Sequence, residues 1–328
     1  MTTEHPKPAA LVIVGPTGVG KTRLSLAIAE RMEVEVISAD SRQVYRYMDI
    51  GTSKPSREER SRVVHHLIDV VDPDQEYSAG TYGQQAREAV RDVAKRSKTP
   101  LIVGGSGLYI RALLHGFFEP HVSDPEVRQT LKQRAASEGS RTLFEELRRV
   151  DPLVAQRVHP NDAQRIVRAL EVFQITGRRL SEWQRSRSQP LELEPLVVGL
   201  SLPREQLYQL IDRRVDRMIA DGFVGEVEDL RAWGYGPHLN ALQTVGYQEI
   251  FGYLSGRYAL DEAVQTIKRN TRRYAKRQLT WFSRHPNIRW LGGYHEGGQD
   301  MAGRCIELFQ GQGQTRKGGG KFSVDRTP

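Results

Sequence analysis

The stretch Gly15-Pro16-Thr17-Gly18-Val19-Gly20-Lys21-Thr22 constrains this chain more than any other. It fits the spacing glycine, four variable residues, Gly-Lys-Ser/Thr, and its flanks are those the pattern requires. Leu11-Val12-Ile13-Val14 before it is a continuous apolar run, as in a strand buried within a parallel sheet. Leu24, Ala27 and Ile28 after it recur at helical spacing. A strand, glycine turn and helix in this order bind linked phosphates. The glycines let backbone N–H groups curl around anionic oxygens, and the helix N-terminus adds partial positive charge. Gly15, Thr17, Gly18, Val19 and Gly20 form the cradle, Lys21 brings a full charge, and the Thr22 hydroxyl is placed to coordinate Mg2+. The fold class that follows is α/β, a P-loop-type parallel sheet core flanked by helices. The motif does not say whether the phosphates belong to a nucleotide.

Val34 to Ser38 reads as a second strand, running out at Asp40-Ser41-Arg42-Gln43-Val44-Tyr45. Ligands of open α/β sheets bind at the carboxyl ends of the strands, which points Asp40 into the crevice of the phosphate loop. Asp40 reads equally well as the N-cap of a following helix. A helix is expected over 82–95. Leu101-Ile102-Val103 and Gly104 to Tyr109 repeat the order of strand, tight turn and helix start. That turn and the Ser106 hydroxyl serve either a second anionic group or close packing. No apolar strand ends in a Walker B aspartate, which disfavours a motor or GTPase-type ATPase. From about Gly116 to Pro195 the apolar runs stop, and helices are expected over 124–137, 141–150 and 162–174. These form a helical insertion domain, residues 118–194, in a core made of 8–117 together with 195–292. Gln164, Arg165 and Arg168 share one face of the last of these helices. Further helices are expected over 204–221 and 225–233. The Gly-rich stretch 293–328 is expected to be a disordered tail.

Lys and Arg number 48 against 40 Asp and Glu, a net charge of +8 that permits a polyanionic partner. Its distribution says more. Lys268 to Arg284 holds Lys268, Arg269, Arg272, Arg273, Lys276, Arg277 and Arg284 with no acidic residue, and Tyr274, Trp281 and Phe282 are interleaved. On a helix, Arg269, Arg272, Arg273 and Lys276 fall on one side. A one-sign face is costly unless an anion meets it, so this stretch reads as a nucleic-acid contact. The single cysteine, Cys305, excludes an internal disulfide and a cysteine-based zinc site. Met1 to Pro8 carry no apolar signal region, and Ala9 to Val14 is too short to span a membrane. A cytoplasmic protein with no membrane partner is expected.

Seven segments together resemble the bacterial tRNA dimethylallyltransferase (tRNA isopentenyltransferase) family. They are Gly15 to Thr22, Asp40 to Tyr45, Met48 to Pro55, Gly104 to Tyr109, His159 to Asp162 with Arg165 to Val172, Gly246-Tyr247, and Thr271 to Phe282. They run in order from about residue 11 to residue 291. Ser106 stands where the family usually has threonine, and the zinc finger of eukaryotic relatives has no place in a chain with one cysteine. The resemblance implies transfer of a dimethylallyl group from dimethylallyl diphosphate to N6 of an adenine next to the anticodon. The diphosphate would sit in the phosphate loop, with Mg2+, Lys21 and Thr22 stabilising the departing pyrophosphate and Asp40 deprotonating the amine. Ser106 joins these as a catalytic position. Asp40, Ser41, Arg42, Gln43, Ser106, Arg128, Gln164, Arg165, Arg168, Gln243, Gly246, Tyr247, Gln248, Arg272, Lys276, Arg277, Gln278 and Trp281 are implied to touch the anticodon stem-loop of tRNA, and a monomer is expected.

Three other readings compete. A small-molecule kinase would use the same loop, with Asp40 as base for a substrate hydroxyl. A prenyltransferase acting on free adenine nucleotide would not need the stretch Lys268 to Arg284. A non-enzymatic RNA-binding protein would have no use for an intact Lys21-Thr22 pair.

Overall fold

The computed structural model of the chain describes residues 7–116, 122–185, 193–293 and 300–314. Its centre is a six-stranded sheet of β1 (Ala9–Val14), β2 (Val34–Ser38), β3 (His65–His66), β4 (Thr99–Gly104), β5 (Glu194–Leu200) and β6 (Arg289–Leu291). The strand order is β3-β2-β4-β1-β5-β6 and every pairing is parallel. Leu11 of β1 faces Leu101 of β4 and Leu196 of β5, so β1 is central. Both its faces are covered, and Ala10 to Val14 are fully buried. The expected P-loop-type parallel sheet flanked by helices is therefore what the chain forms. It leaves β1 toward β2 on one side and later adds β5 on the other, which opens a crevice at the carboxyl end of β1.

Two compact units divide the chain, Met1–Leu114 with Glu192–Pro328, and His115–Leu191. The first holds the sheet and its early helices α1 (Lys21–Ala29), α2 (Arg57–Arg62), α3 (Ala79–Lys95) and α4 (Gly107–His115). Among the described residues the second is all-helical: α5 (Pro125–Ser137), α6 (Ser140–Val150), α7 (Pro152–Ala155), α8 (Ala163–Thr176) and α9 (Leu180–Arg185). Asp124 and Asp162 cap α5 and α8 by accepting backbone N–H bonds, and Leu131, Leu143, Leu147, Ile166 and Leu170 form a core of its own. The sheet unit resumes with α10 (Arg204–Ala220), α11 (Phe223–Ala232), α12 (Tyr247–Leu254), α13 (Leu260–Phe282) and α14 (Met301–Gln314).

Helix α14 corrects the expected disorder of the tail. Met301, Ala302 and Cys305 are buried in the main core with Leu24 and Ile28 of α1, and Arg31 grips the Asp300 carboxylate at 2.7 and 2.6 Å. Gly303 and Gly311 hid an apolar period, Met301-Ala302-Cys305-Ile306-Phe309, that recurs every three or four residues. Residues 294–299 and 315–328 of that expected tail lie outside the described residues. Among the described residues no helix is long and apolar enough to cross a membrane.

Candidate active site

The phosphate loop leaves β1 at Val14 and enters α1 at Lys21. Gly20 takes φ 94°, a left-handed conformation that favours glycine, and caps α1 without a side-chain acceptor. The first N–H groups of α1 are thus left for an anion. Lys21 folds back over the loop, its Nζ donating to the carbonyls of Gly15 (3.0 Å) and Pro16 (2.8 Å). Burial pushes its ammonium down to about 8, with Asp40 pulling it up and Arg214 pushing it further down. The Thr22 hydroxyl has no hydrogen-bond partner among the described residues. Val19, expected in the cradle, has its side chain in the main core.

Asp40 lies two residues past β2. The helix-cap reading is corrected: Ser41 to Val44 form turns, and Asp40 Oδ1 accepts the N–H of Arg42 at 2.9 Å. Ser106, at the carboxyl end of the neighbouring β4, accepts the N–H of Ser41 (2.9 Å) and donates to the Ser41 hydroxyl (3.2 Å). The hydroxyl of Ser106 therefore ties the Asp40 turn to the start of α4. Tyr109 and Tyr274 both feel the charges of Asp40 and Arg42, and burial holds their phenols protonated, Tyr274 pushed up to about 12.

Other expected contact residues serve as braces in this structure. Gln278 is buried, accepting the Thr17 N–H (2.9 Å) and donating to the Gly105 carbonyl (3.0 Å), so it locks the phosphate loop to the β4 turn. Tyr247 is fully buried and donates its hydroxyl to Glu226 at 2.6 Å. In this structure both side chains are turned inward onto these partners. Gly246 caps α12 at its N-terminus, its N–H donating to Glu249. Arg42 donates to the carbonyls of Asn240 (2.7 Å) and Ala241 (3.2 Å), and Gln248 to those of Pro237 and Leu242. Gln243 donates to the His238 carbonyl, and Gln43 to those of Thr52 and Ser53. The loop after α11 is thereby held against the Asp40 turn.

The one-sign face of α13 is corrected in part. Arg272 is bound by Asp212 through 2.8 and 2.7 Å bonds and Lys268 pairs with Asp216, both acids supplied by α10. Arg273, Lys276 and Arg277 remain exposed, with no carboxylate in ion-pair distance among the described residues. Trp281 lies against Gly107 at the start of α4. Within the helical unit, Arg128 and Arg168 both bind the fully buried Glu171, while Gln164 and Arg165 are exposed.

Arg214 was not singled out from sequence. It sits on α10 beside Lys21 and Asp40, burial lowers its pKa, and its only hydrogen bond among the described residues is a long one to the Thr52 carbonyl (3.4 Å). The signal was there: Arg214 shares the stripe of Leu207, Ile211, Val215 and Met218, the buried face of α10. An arginine on an apolar stripe must meet an anion.

A profile of the IPP transferase family matches residues 43–285. "tRNA dimethylallyltransferase 1" of Syntrophotalea carbinolica is 48% identical over 88% of this chain and 93% of its own length. The tRNA dimethylallyltransferase of Geobacter sulfurreducens is 48% identical over 87% and 92%. The crystal structure of a Bacillus halodurans tRNA isopentenylpyrophosphate transferase covers 95% of this chain and 97% of its own, at 37% identity and TM-score 0.68. A eukaryotic dimethylallyltransferase acting on tRNA covers 98% and 82%, at 27% identity and TM-score 0.79. On a profile spanning most of its length and relatives at this identity, the chain belongs to the IPP transferase family.

Proposed function

We propose that this chain is a tRNA dimethylallyltransferase, acting in the cytoplasm as a monomer on the anticodon stem-loop. It moves the dimethylallyl group of dimethylallyl diphosphate to N6 of the adenine beside the anticodon. The observation that carries the reading is the meeting of three groups at the carboxyl ends of β1 and β2. Lys21 and Arg214 supply positive charge and Asp40 supplies a carboxylate; Asp40 acts on the titration of both cations, and Arg214 on that of Lys21.

The chemistry follows from that arrangement. The diphosphate lies in the phosphate loop, on the free N–H groups of α1, with Lys21 and Arg214 against its oxygens. As the C1–O bond breaks, its electron pair leaves with pyrophosphate, and these fixed positive groups stabilise the growing charge. The N6 lone pair of a flipped-out adenine closes on C1, and Asp40 takes the amine proton. Ser106 positions Asp40 through Ser41. Mg2+, when bound, neutralises the leaving group further. Thr22 is the residue to hold it, because its hydroxyl is unengaged. Among the described residues there is no group of three His, Cys, Asp or Glu to cage a metal, which suits an ion held mainly by substrate phosphate and water. The test is mass analysis of nucleosides from tRNA incubated with the protein, Mg2+ and dimethylallyl diphosphate. A prenylated adenosine is expected; unmodified tRNA together with phosphoryl transfer from ATP would replace this reading with the kinase.

Arg273, Lys276 and Arg277 are the groups on α13 best placed for RNA phosphates, with Gln164 and Arg165 as further contacts in the helical unit. Changing the three α13 residues to Ala should lower the slope of log affinity against log salt by about 2, at roughly 0.7–0.9 per phosphate contact. Pyrophosphate binding should stay at its wild-type value. A filter-binding salt titration that gives an unchanged slope takes RNA off this face.

A further inference from the structure

Glu226, on α11, ends in a cradle of four donors. Its Oε2 accepts the backbone N–H groups of Asp49 (2.9 Å) and Ile50 (2.6 Å). Its Oε1 accepts the N–H of Gly51 (3.1 Å) and the Tyr247 hydroxyl (2.6 Å). Successive backbone N–H groups converging on one point make an anion nest. Here the anion is the protein's own carboxylate. Gly51 is pressed against the rings of Phe223 and Tyr247, where any Cβ would collide.

What the nest holds is the connection from the Asp40 turn to α2. Between β2 and α2 the chain has no helix, and its one strand-like contact is the Tyr45–Val71 bridge, so side chains must fix its course. The next link after Gly51 is Thr52, whose hydroxyl donates to the Met48 carbonyl at 2.6 Å. The Thr52 carbonyl accepts from both Arg214 and Gln43, each at 3.4 Å. One residue thus separates the carboxylate cradle from the guanidinium that faces Lys21 and Asp40.

We propose that Glu226 is a positioning residue for the transfer reaction. By holding residues 49–51 it sets the Thr52 carbonyl, and through it the orientation of Arg214 toward the diphosphate. The inference rests on the reading that the crevice binds the donor diphosphate. A merely structural tie would lower the melting temperature and leave anion affinity alone.

The test uses the full chain with Mg2+ and inorganic pyrophosphate as probe. Glu226→Gln turns an acceptor into an NH2 facing N–H groups. It should weaken pyrophosphate binding about tenfold, within the range of couplings inside one hydrogen-bond network. The KM for tRNA should stay within about twofold, since a phosphate-side defect leaves uniform RNA binding in place. Glu226→Ala empties the cradle, and added acetate, the fragment the substitution removes, should restore pyrophosphate affinity in that variant and not in Glu226→Gln. Arg214→Gln should weaken the same affinity, and the double variant with Glu226→Gln should be no weaker than Arg214→Gln alone. If the Glu226 variants fail to fold, Tyr247→Phe removes one donor only and should weaken pyrophosphate about two- to threefold. Wild-type affinity in every soluble variant of Glu226 and Tyr247, or additive losses in the double variant, overturns the proposal. An unaffected Arg214→Gln removes the diphosphate reading of the crevice and the proposal with it. A weakened Arg214→Gln beside an unaffected Glu226→Gln removes the proposal alone.

Discussion

Replacing Lys21 with methionine should cost on the order of 10²–10³ in transfer rate, the scale for removing one fixed donor to a developing anion, and yet leave the fold as stable at pH 7 or more so. Burial holds the Lys21 ammonium near 8, below its ordinary 10.5, with Asp40 opposing the shift and Arg214 adding to it. As pH rises the folded chain releases this proton first. Between about 8 and 10.5 the unfolded chain binds more protons, so stability rises with pH across that window. At about 1.4 kcal/mol per pH unit, the buried charge costs about 3 kcal/mol at neutral pH. The two hydrogen bonds from Nζ to Gly15 and Pro16 offset part of that, at about 1 kcal/mol each. Methionine removes both the cost and the bonds, so the balance at pH 7 favours the variant and has reversed by pH 10. Urea unfolding of both proteins at the two pH values reads this crossing. Pyrophosphate affinity of the wild type should fall as pH climbs above 8, and the variant's should be low and flat. A Lys21→Met protein equally destabilised at pH 7 and pH 10 would show that the charge sits in water.

The parts of this site written in consecutive residues were legible. The apolar run of β1, the glycine spacing and the period of α1 are local, and the structure repeats them. Asp40 was legible at the end of β2, but its local partner was not, since an Asx turn and a helix cap use the same side-chain oxygen. The balance of charge on α13 was not legible, because Asp212 and Asp216 lie on a separate helix, about fifty to sixty residues upstream of their partners Arg272 and Lys268. Gln278 and Arg214 share a different kind of signal. Each is a polar residue on an apolar helical stripe, Gln278 between Ala275 and Phe282, Arg214 between Ile211 and Met218. Such a residue is expensive to bury without a partner, so its presence announces one, although only the fold says which. Glu226 gave no signal of this kind, because three of its four donors are backbone, and backbone N–H groups are the same in every sequence.

Asp40→Asn separates chemistry from architecture more sharply than any other single change. The Asn side-chain oxygen can go on accepting the Arg42 N–H, so the turn, and Ser41 with its bonds to Ser106, should persist. The melting temperature should move little. What is lost is proton acceptance: an amide oxygen accepts a hydrogen bond from the adenine amine but does not take its proton. A missing general base costs ~10²–10⁴ in rate, read as single-turnover prenyl transfer at saturating tRNA. A second effect identifies the carboxylate independently of the reaction. Asp40 is the charge that holds the Lys21 pKa up. Without it Lys21 should lose its proton at lower pH, and the fall in pyrophosphate affinity should begin below the wild-type pH. A slow enzyme with an unshifted pyrophosphate profile would keep Asp40 as the base but separate it from Lys21. A transfer rate within a few-fold of wild type, with the profile shifted, would leave Asp40 as an electrostatic partner of the phosphate site and assign the proton to another acceptor.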